Sequence, residues 1–151
     1  MSKPECKIDV NGTKSWFLNG NRHREDRSET GVSLPAVEFA DGTRYWCLNG
    51  YLHREDGPAI EYADGGKSWY LNGNLHREDI NPETGLTCPA IEYANGYKEW
   101  CLNSKRHRED GPAIECSDGT TEYYINDKRI PQLDNKRIYG KEKLAITLLL
   151  L

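Results

Sequence analysis

The side chains that could do chemistry come in one block, and the block recurs. His-Arg-Glu-Asp occupies residues 23–26, 53–56, 76–79 and 107–110. Histidine is a general base near neutral pH, Glu and Asp are acids or metal ligands, and arginine binds anions. A hydrolase using His and Glu or Asp is therefore one reading. The number of copies argues against it. An active site needs one constellation, whereas four equivalent copies point to something each repeat needs for its own folding. Arg and Asp can satisfy backbone groups of the bend that follows, and His can hydrogen-bond to the next repeat. The alternative use of the block is capture of a small anionic ligand, such as a nucleotide signal, by Arg24, Arg54, Arg77 or Arg108. Zinc takes four ligands at about 2.0–2.3 Å. No Cys/His pair here has the usual spacing, so neither a metal nor a cofactor is expected.

Each block holds a fixed place in a larger unit. Trp16, Trp46, Trp69 and Trp100 each open a Trp-x-Leu-Asn run, and a turn dipeptide precedes each: Asn11-Gly12, Asp41-Gly42, Asp64-Gly65 and Asn95-Gly96, with a fifth at Asp118-Gly119. The Trp positions step by 30, 23 and 31, and the four His positions step by the same intervals. The unit is thus 23 residues, with insertions of 7 and 8 in two copies. Self-similarity at this period means a repeat array. A hydrophobic share of 36% and a mean hydropathy of −0.83 are lean for a compact core, and fit units that touch only their neighbours.

In the copy spanning residues 57–79, Asp64-Gly65 reads as a two-residue hairpin turn of the primed type. Counting outward puts Ile60 opposite Trp69, and likewise Val37 opposite Trp46, Ile91 opposite Trp100 and Ile114 opposite Tyr123. One face then carries Ile60, Tyr62, Trp69 and Leu71, and the other Ala59, Glu61, Ser68 and Tyr70. The same count sets Lys7 against Trp16, so residues 1–12 read as a degenerate terminal repeat. Asn19-Gly20, Asn49-Gly50 and Asn72-Gly73, each directly after a Trp-x-Leu, give a second reversal. The expected fold is all-β: an antiparallel β-hairpin repeat meander of about five repeats over residues 1–126, with about two strands per repeat. A short non-repeat tail follows over residues 127–151. Its apolar end either caps the array or meets another copy of the chain as a homo-oligomer.

Copies two and four pass from the block straight to Gly-Pro, whereas copies one and three carry residues 27–34 and 80–88 instead. Both insertions contain Glu-Thr-Gly, and Thr30 to Thr84 and Trp46 to Trp100 are both 54 residues, so the array looks like a duplicated two-repeat superunit. Folding is not expected to require the insertions, since two copies omit them. Insertions in an array map to loops on one face, often the binding face. The candidate partner-binding residues are therefore Arg27, Glu29 and Thr30 in the first loop and Asn81, Glu83 and Thr84 in the second. Four strand spacings separate such loops by about 19 Å, a span that suits a protein surface better than one small molecule.

The unit Trp-Tyr-Leu-Asn-Gly-x-Leu-His-Arg-Glu-Asp-Gly-Pro-Ala-Ile-Glu-Tyr-x-Asp-Gly resembles a MORN-type repeat of a variant class, whose period of about 22–24 residues matches the one counted here. The resemblance covers residues 11 to about 126 and departs where those repeats have His-Gly. It implies an elongated antiparallel sheet, a binding or scaffolding role and no catalytic residues. The subtype looks like one found in bacteriophage and bacterial proteins. The narrower implication is a phage accessory protein that inhibits a host factor in the host cytoplasm.

Charge and cysteine usage bound the remaining classes. Net charge is −4, with both signs mixed in every repeat, which argues against phosphate-backbone binding and hence against nucleic acid. A row of Glu38, Glu61, Glu92 and Glu115 is either a solvated strand face or an acidic strip for a basic protein. The five cysteines are odd in number and lack CxxC spacing, and Met1-Ser-Lys-Pro-Glu lacks an apolar signal segment. Reduced thiols in a cytoplasm are expected. The apolar run at the end is too short to span a bilayer. The reading is a cytoplasmic, non-enzymatic repeat protein that binds a protein partner.

Overall fold

The computed structural model describes residues 3–151. The chain packs as two compact units, Met1–Asn74 and Leu75–Leu151. In the first unit the strands Glu5–Ile8, Lys14–Leu18, Val37–Glu38, Arg44–Tyr45, Ile60–Glu61 and Lys67–Ser68 neighbour one another in chain order. In the second, Ile91–Glu92, Lys98–Glu99, Ile114–Glu115 and Thr121–Glu122 do the same. The pairings that join them within each unit are antiparallel. The chain is the all-β hairpin meander that its repeats imply.

The register is one residue away from the expected count, because the Asp-Gly turn is longer. The Tyr62 N–H bonds the Gly66 carbonyl at 2.9 Å and the Gly65 N–H bonds the Tyr62 carbonyl at 3.0 Å. The loop is therefore three residues, Ala63-Asp64-Gly65. Gly65 alone takes a positive φ, +92°, and the Asp64 carboxylate accepts the Gly66 N–H at 2.9 Å. This is a type I turn closed by a left-handed glycine. Ile60 consequently faces Ser68 rather than Trp69, Val37 faces Tyr45, Ile91 faces Glu99 and Ile114 faces Glu122. The first repeat obeys the same rule, with Cys6, not Lys7, opposite Trp16.

A one-residue slip moves side chains to the other face, and the consequence is a different core. Trp46 donates its backbone N–H to the Ala59 carbonyl at 2.8 Å and Trp16 donates to Ala36 at 2.9 Å. In the second unit Trp100 donates to Ala113 at 2.8 Å. Bulky rings thus alternate across the ladder with alanines, and Ala36, Ala59, Ala90 and Ala113 are all 0% exposed. The alanine of each Pro-Ala step leaves room for the indole. Val37 and Ile60 are buried on the opposite face. The Glu row shares its face with the tryptophans, where the sequence count had separated them.

The primed turns lie elsewhere. Asn49 and Gly50 have φ of +51° and +87°, and Asn19-Gly20 and Asn72-Gly73 behave alike. These dipeptides close small second hairpins, such as Cys47–Leu48 with Tyr51–Leu52. Successive small hairpins are linked: Gly50 N–H to the Arg22 carbonyl and Gly73 to Leu52 in the first unit, Ser104 to Leu75 and Asp127 to Arg106 in the second.

The hairpin pattern runs on to Lys128–Arg129, and the tail then closes the last strand. Tyr123, at the Trp position of the fifth copy, packs with Leu133 and Leu144. Its backbone N–H bonds Asp134 Oδ1 at 3.3 Å, so a side chain replaces the alanine carbonyl of a missing repeat. Asn135 bonds both the N–H and the carbonyl of Thr121, covering an otherwise open edge. The tail ends in the helix Lys141–Leu149, and Leu149 and Leu150 project from its end. No helix among the described residues is long and apolar enough to cross a membrane.

Candidate binding edge

The histidines of the four His-Arg-Glu-Asp blocks make the same backbone bond in every copy. Each imidazole Nδ1 accepts the backbone N–H of the asparagine that opens the next small hairpin: Asn49 to His23 and Asn72 to His53 at 3.1 Å, Asn103 to His76 at 3.2 Å, and Asn126 to His107 at 3.3 Å. At His23 and His107 Nδ1 also lies 3.1 Å from the side-chain oxygen of the same asparagine, and an Nδ1 that accepts the amide leaves the ring proton to Nε2. That nitrogen faces the Glu two residues on, at 3.5–3.8 Å.

Each arginine is committed in the same way. Its Nη1 donates to the proline carbonyl of the bend at 3.0–3.1 Å. Its Nε donates to the Asp of its own block at 2.7–3.2 Å. Nη1 also lies 2.9–3.8 Å from Glu38, Glu61, Glu92 or Glu115. Arg24, Arg54 and Arg108 stack on the rings of Trp16, Trp46 and Trp100 at 3.8–4.0 Å. The four arginine side chains are only 3–16% exposed. The Glu row is therefore the far end of these arginine networks.

The two inserted loops are pinned by the block that follows each of them. In the first unit Asp56 accepts the Ser33 N–H at 2.9 Å, the Ser33 hydroxyl, and Arg27 Nη1 at 3.1 Å. The Trp46 indole N–H donates to the Ser33 carbonyl at 2.9 Å. In the second unit Asp110 accepts the N–H and hydroxyl of Thr87 at 2.6 and 2.9 Å, and the Trp100 indole donates to the Thr87 carbonyl at 2.8 Å. Burial pushes the Asp56 carboxyl up, but the Ser33 and Arg54 hydrogen bonds outweigh it and hold the group well below the usual carboxylate range. Asp110 is lowered against burial in the same way by Thr87 and Arg108. The loops therefore have a role in folding: each satisfies an aspartate and a buried indole of the neighbouring copy.

Beyond these anchors the loops turn outward. Arg27 reaches back to Asp56 and also to the Gly31 carbonyl at 2.7 Å. Glu29 and Thr30 are exposed at the first tip, with the Thr30 hydroxyl 2.9 Å from Ser28. In the second loop Asn81 Oδ1 accepts the N–H groups of Glu83 and Thr84, at 2.9 and 3.1 Å, and presents both residues to solvent. Ser33 and Thr87 escape a search for reactive residues, and the block alone does not set Asp56 and Asp110 apart from Asp26 and Asp79. The signal for the anchors is the superunit spacing, because Ser33 to Thr87 and Asp56 to Asp110 are both 54 residues.

The thiols in this region are quiet. Burial pushes Cys47 up to about 11, and burial together with Glu99 pushes Cys101 up to about 12, so neither supplies a thiolate near neutrality. Among the described residues no group of three or more His, Cys, Asp and Glu is placed to hold a metal ion. Compared with known protein families the chain matches none, and no curated protein matches it.

Proposed function

We propose that the chain is a non-enzymatic, MORN-like binding protein whose two loop tips recognise a protein partner. The observation that carries this reading is the contrast between loop base and loop tip. The base is fixed by an aspartate and an indole, whereas Glu29, Thr30, Glu83 and Thr84 face solvent. A loop held in one shape loses less entropy on binding. The repeated histidines and arginines support the same reading, because their polar atoms are engaged in joining one repeat to the next. Small-anion capture by the arginines is the weaker alternative, since their guanidinium groups already bond carbonyls and carboxylates.

The test replaces Glu29, Thr30, Glu83 and Thr84 by alanine and keeps Ser33 and Thr87. The variant should melt like the native chain and lose the protein that the native chain co-precipitates. Unchanged capture would contradict the reading. A small anion retained in native mass spectrometry, and lost on Arg54→Ala, would favour the alternative.

A further inference from the structure

The first loop frames a pocket of about 150 Å³ with Trp46, Leu48 and His53 against Glu25 and Glu55. We propose that this pocket takes a lysine or arginine side chain from a basic segment of the protein partner. The proposal rests on the reading of the loop edge as a protein-binding surface.

The chemistry of the lining carries it. The indole, the leucine and the imidazole offer an apolar wall to a long aliphatic stem. Glu25 and Glu55 are 72% and 78% exposed. Their near neighbours are His23 and His53 at 3.5 and 3.8 Å. Both rings lie within hydrogen-bond distance of a backbone N–H at Nδ1. Arg24 and Arg27 also border the pocket. Arg24 is engaged by Asp26 and Glu38, and Arg27 by Asp56. The pocket therefore presents two exposed carboxylates, Glu25 and Glu55, above an apolar wall, an arrangement that suits a basic side chain.

The second unit supplies an independent observation. Its equivalent pocket, about 230 Å³, is lined by Trp100, Leu102, His107, Glu78 and Glu109. There the chain's own Lys141 stands at the lining, with its ammonium 3.6 Å from Glu109. The described residues lining the first pocket include no lysine. At the second pocket a lysine of the chain thus meets a carboxylate of the lining, whereas the cations bordering the first, Arg24 and Arg27, are paired with Asp26, Glu38 and Asp56.

The test titrates the ¹⁵N-labelled full chain with tetralysine and with its fully acetylated form, reading the indole N–H resonances. The Trp46 signal should shift saturably with tetralysine and stay in place with the acetylated peptide. Glu25→Gln together with Glu55→Gln should weaken the effect at least about tenfold at an unchanged melt. Lys141→Ala should make Trp100 respond as Trp46 does. An unmoved Trp46 signal, equal shifts with the acetylated peptide, or native affinity in the double variant would overturn the proposal. If tetralysine fails while the tip variant loses its partner, this inference alone falls. If tetralysine binds as described while capture survives in the tip variant, the pocket stands and the loop-tip reading falls.

Discussion

Ala59 lies across the ladder from Trp46. It is fully buried on the rung where Trp46 hands its N–H to the Ala59 carbonyl. A larger side chain has nowhere to go without moving the indole, which is itself held by Ser33 and covered by Arg54. Ala59→Leu should therefore destabilise by about 1–3 kcal/mol, the usual cost of overpacking. A denaturant melt followed by tryptophan fluorescence checks it. A native midpoint would mean that the indole does not pack across this rung. The alanines could have been read from the sequence, since Pro-Ala recurs at each repeat. They were hidden by the register, which assigned Val37 and Ile60 to the indoles. Hydrophobic alternation is satisfied equally well by both registers, so only the turn length separates them.

Among the elements, the turns and the loops explain most of what sequence reasoning found and missed. The Asn-Gly dipeptides that follow Trp-x-Leu, such as Asn49-Gly50, are true two-residue turns with both residues left-handed. The dipeptides that precede each Trp, Asn95-Gly96 as much as Asp64-Gly65, sit in three-residue loops with only the glycine left-handed. The dipeptide alone does not distinguish the two. The insertions were legible as departures from the period, whereas their anchoring was not, because it joins residues 23 apart, Ser33 to Asp56 and Thr87 to Asp110. That anchoring has a pH signature. The Asp56 carboxyl titrates below its ordinary value in the folded chain, so the unfolded chain takes up the proton first. Its contribution is complete above about pH 4 and fades as the pH falls further towards the folded value. Asp56→Asn should lower the melting temperature at pH 7 and flatten its decline below about pH 4. A variant with the native pH profile would show that the loop does not lean on this carboxylate.

Across the whole chain, repetition separates what folds the protein from what distinguishes it. Every copy of the block spends its histidine on the next hairpin and its arginine on a proline carbonyl, an aspartate and a glutamate. The parts that break the pattern are the two loop tips and the tail. The tail imitates a further repeat through Asp134 and Asn135. The central claim is that the four histidines act alike as joints between repeats. Long-range ¹H–¹⁵N spectra of the imidazoles at pH 7 test it most directly. The account predicts four neutral rings protonated at Nε2, each with Nδ1 coupled through a hydrogen bond to one amide: Asn49, Asn72, Asn103 or Asn126. One histidine charged, or protonated at Nδ1 and uncoupled from its asparagine, would contradict it and return that copy to candidacy as a chemical site.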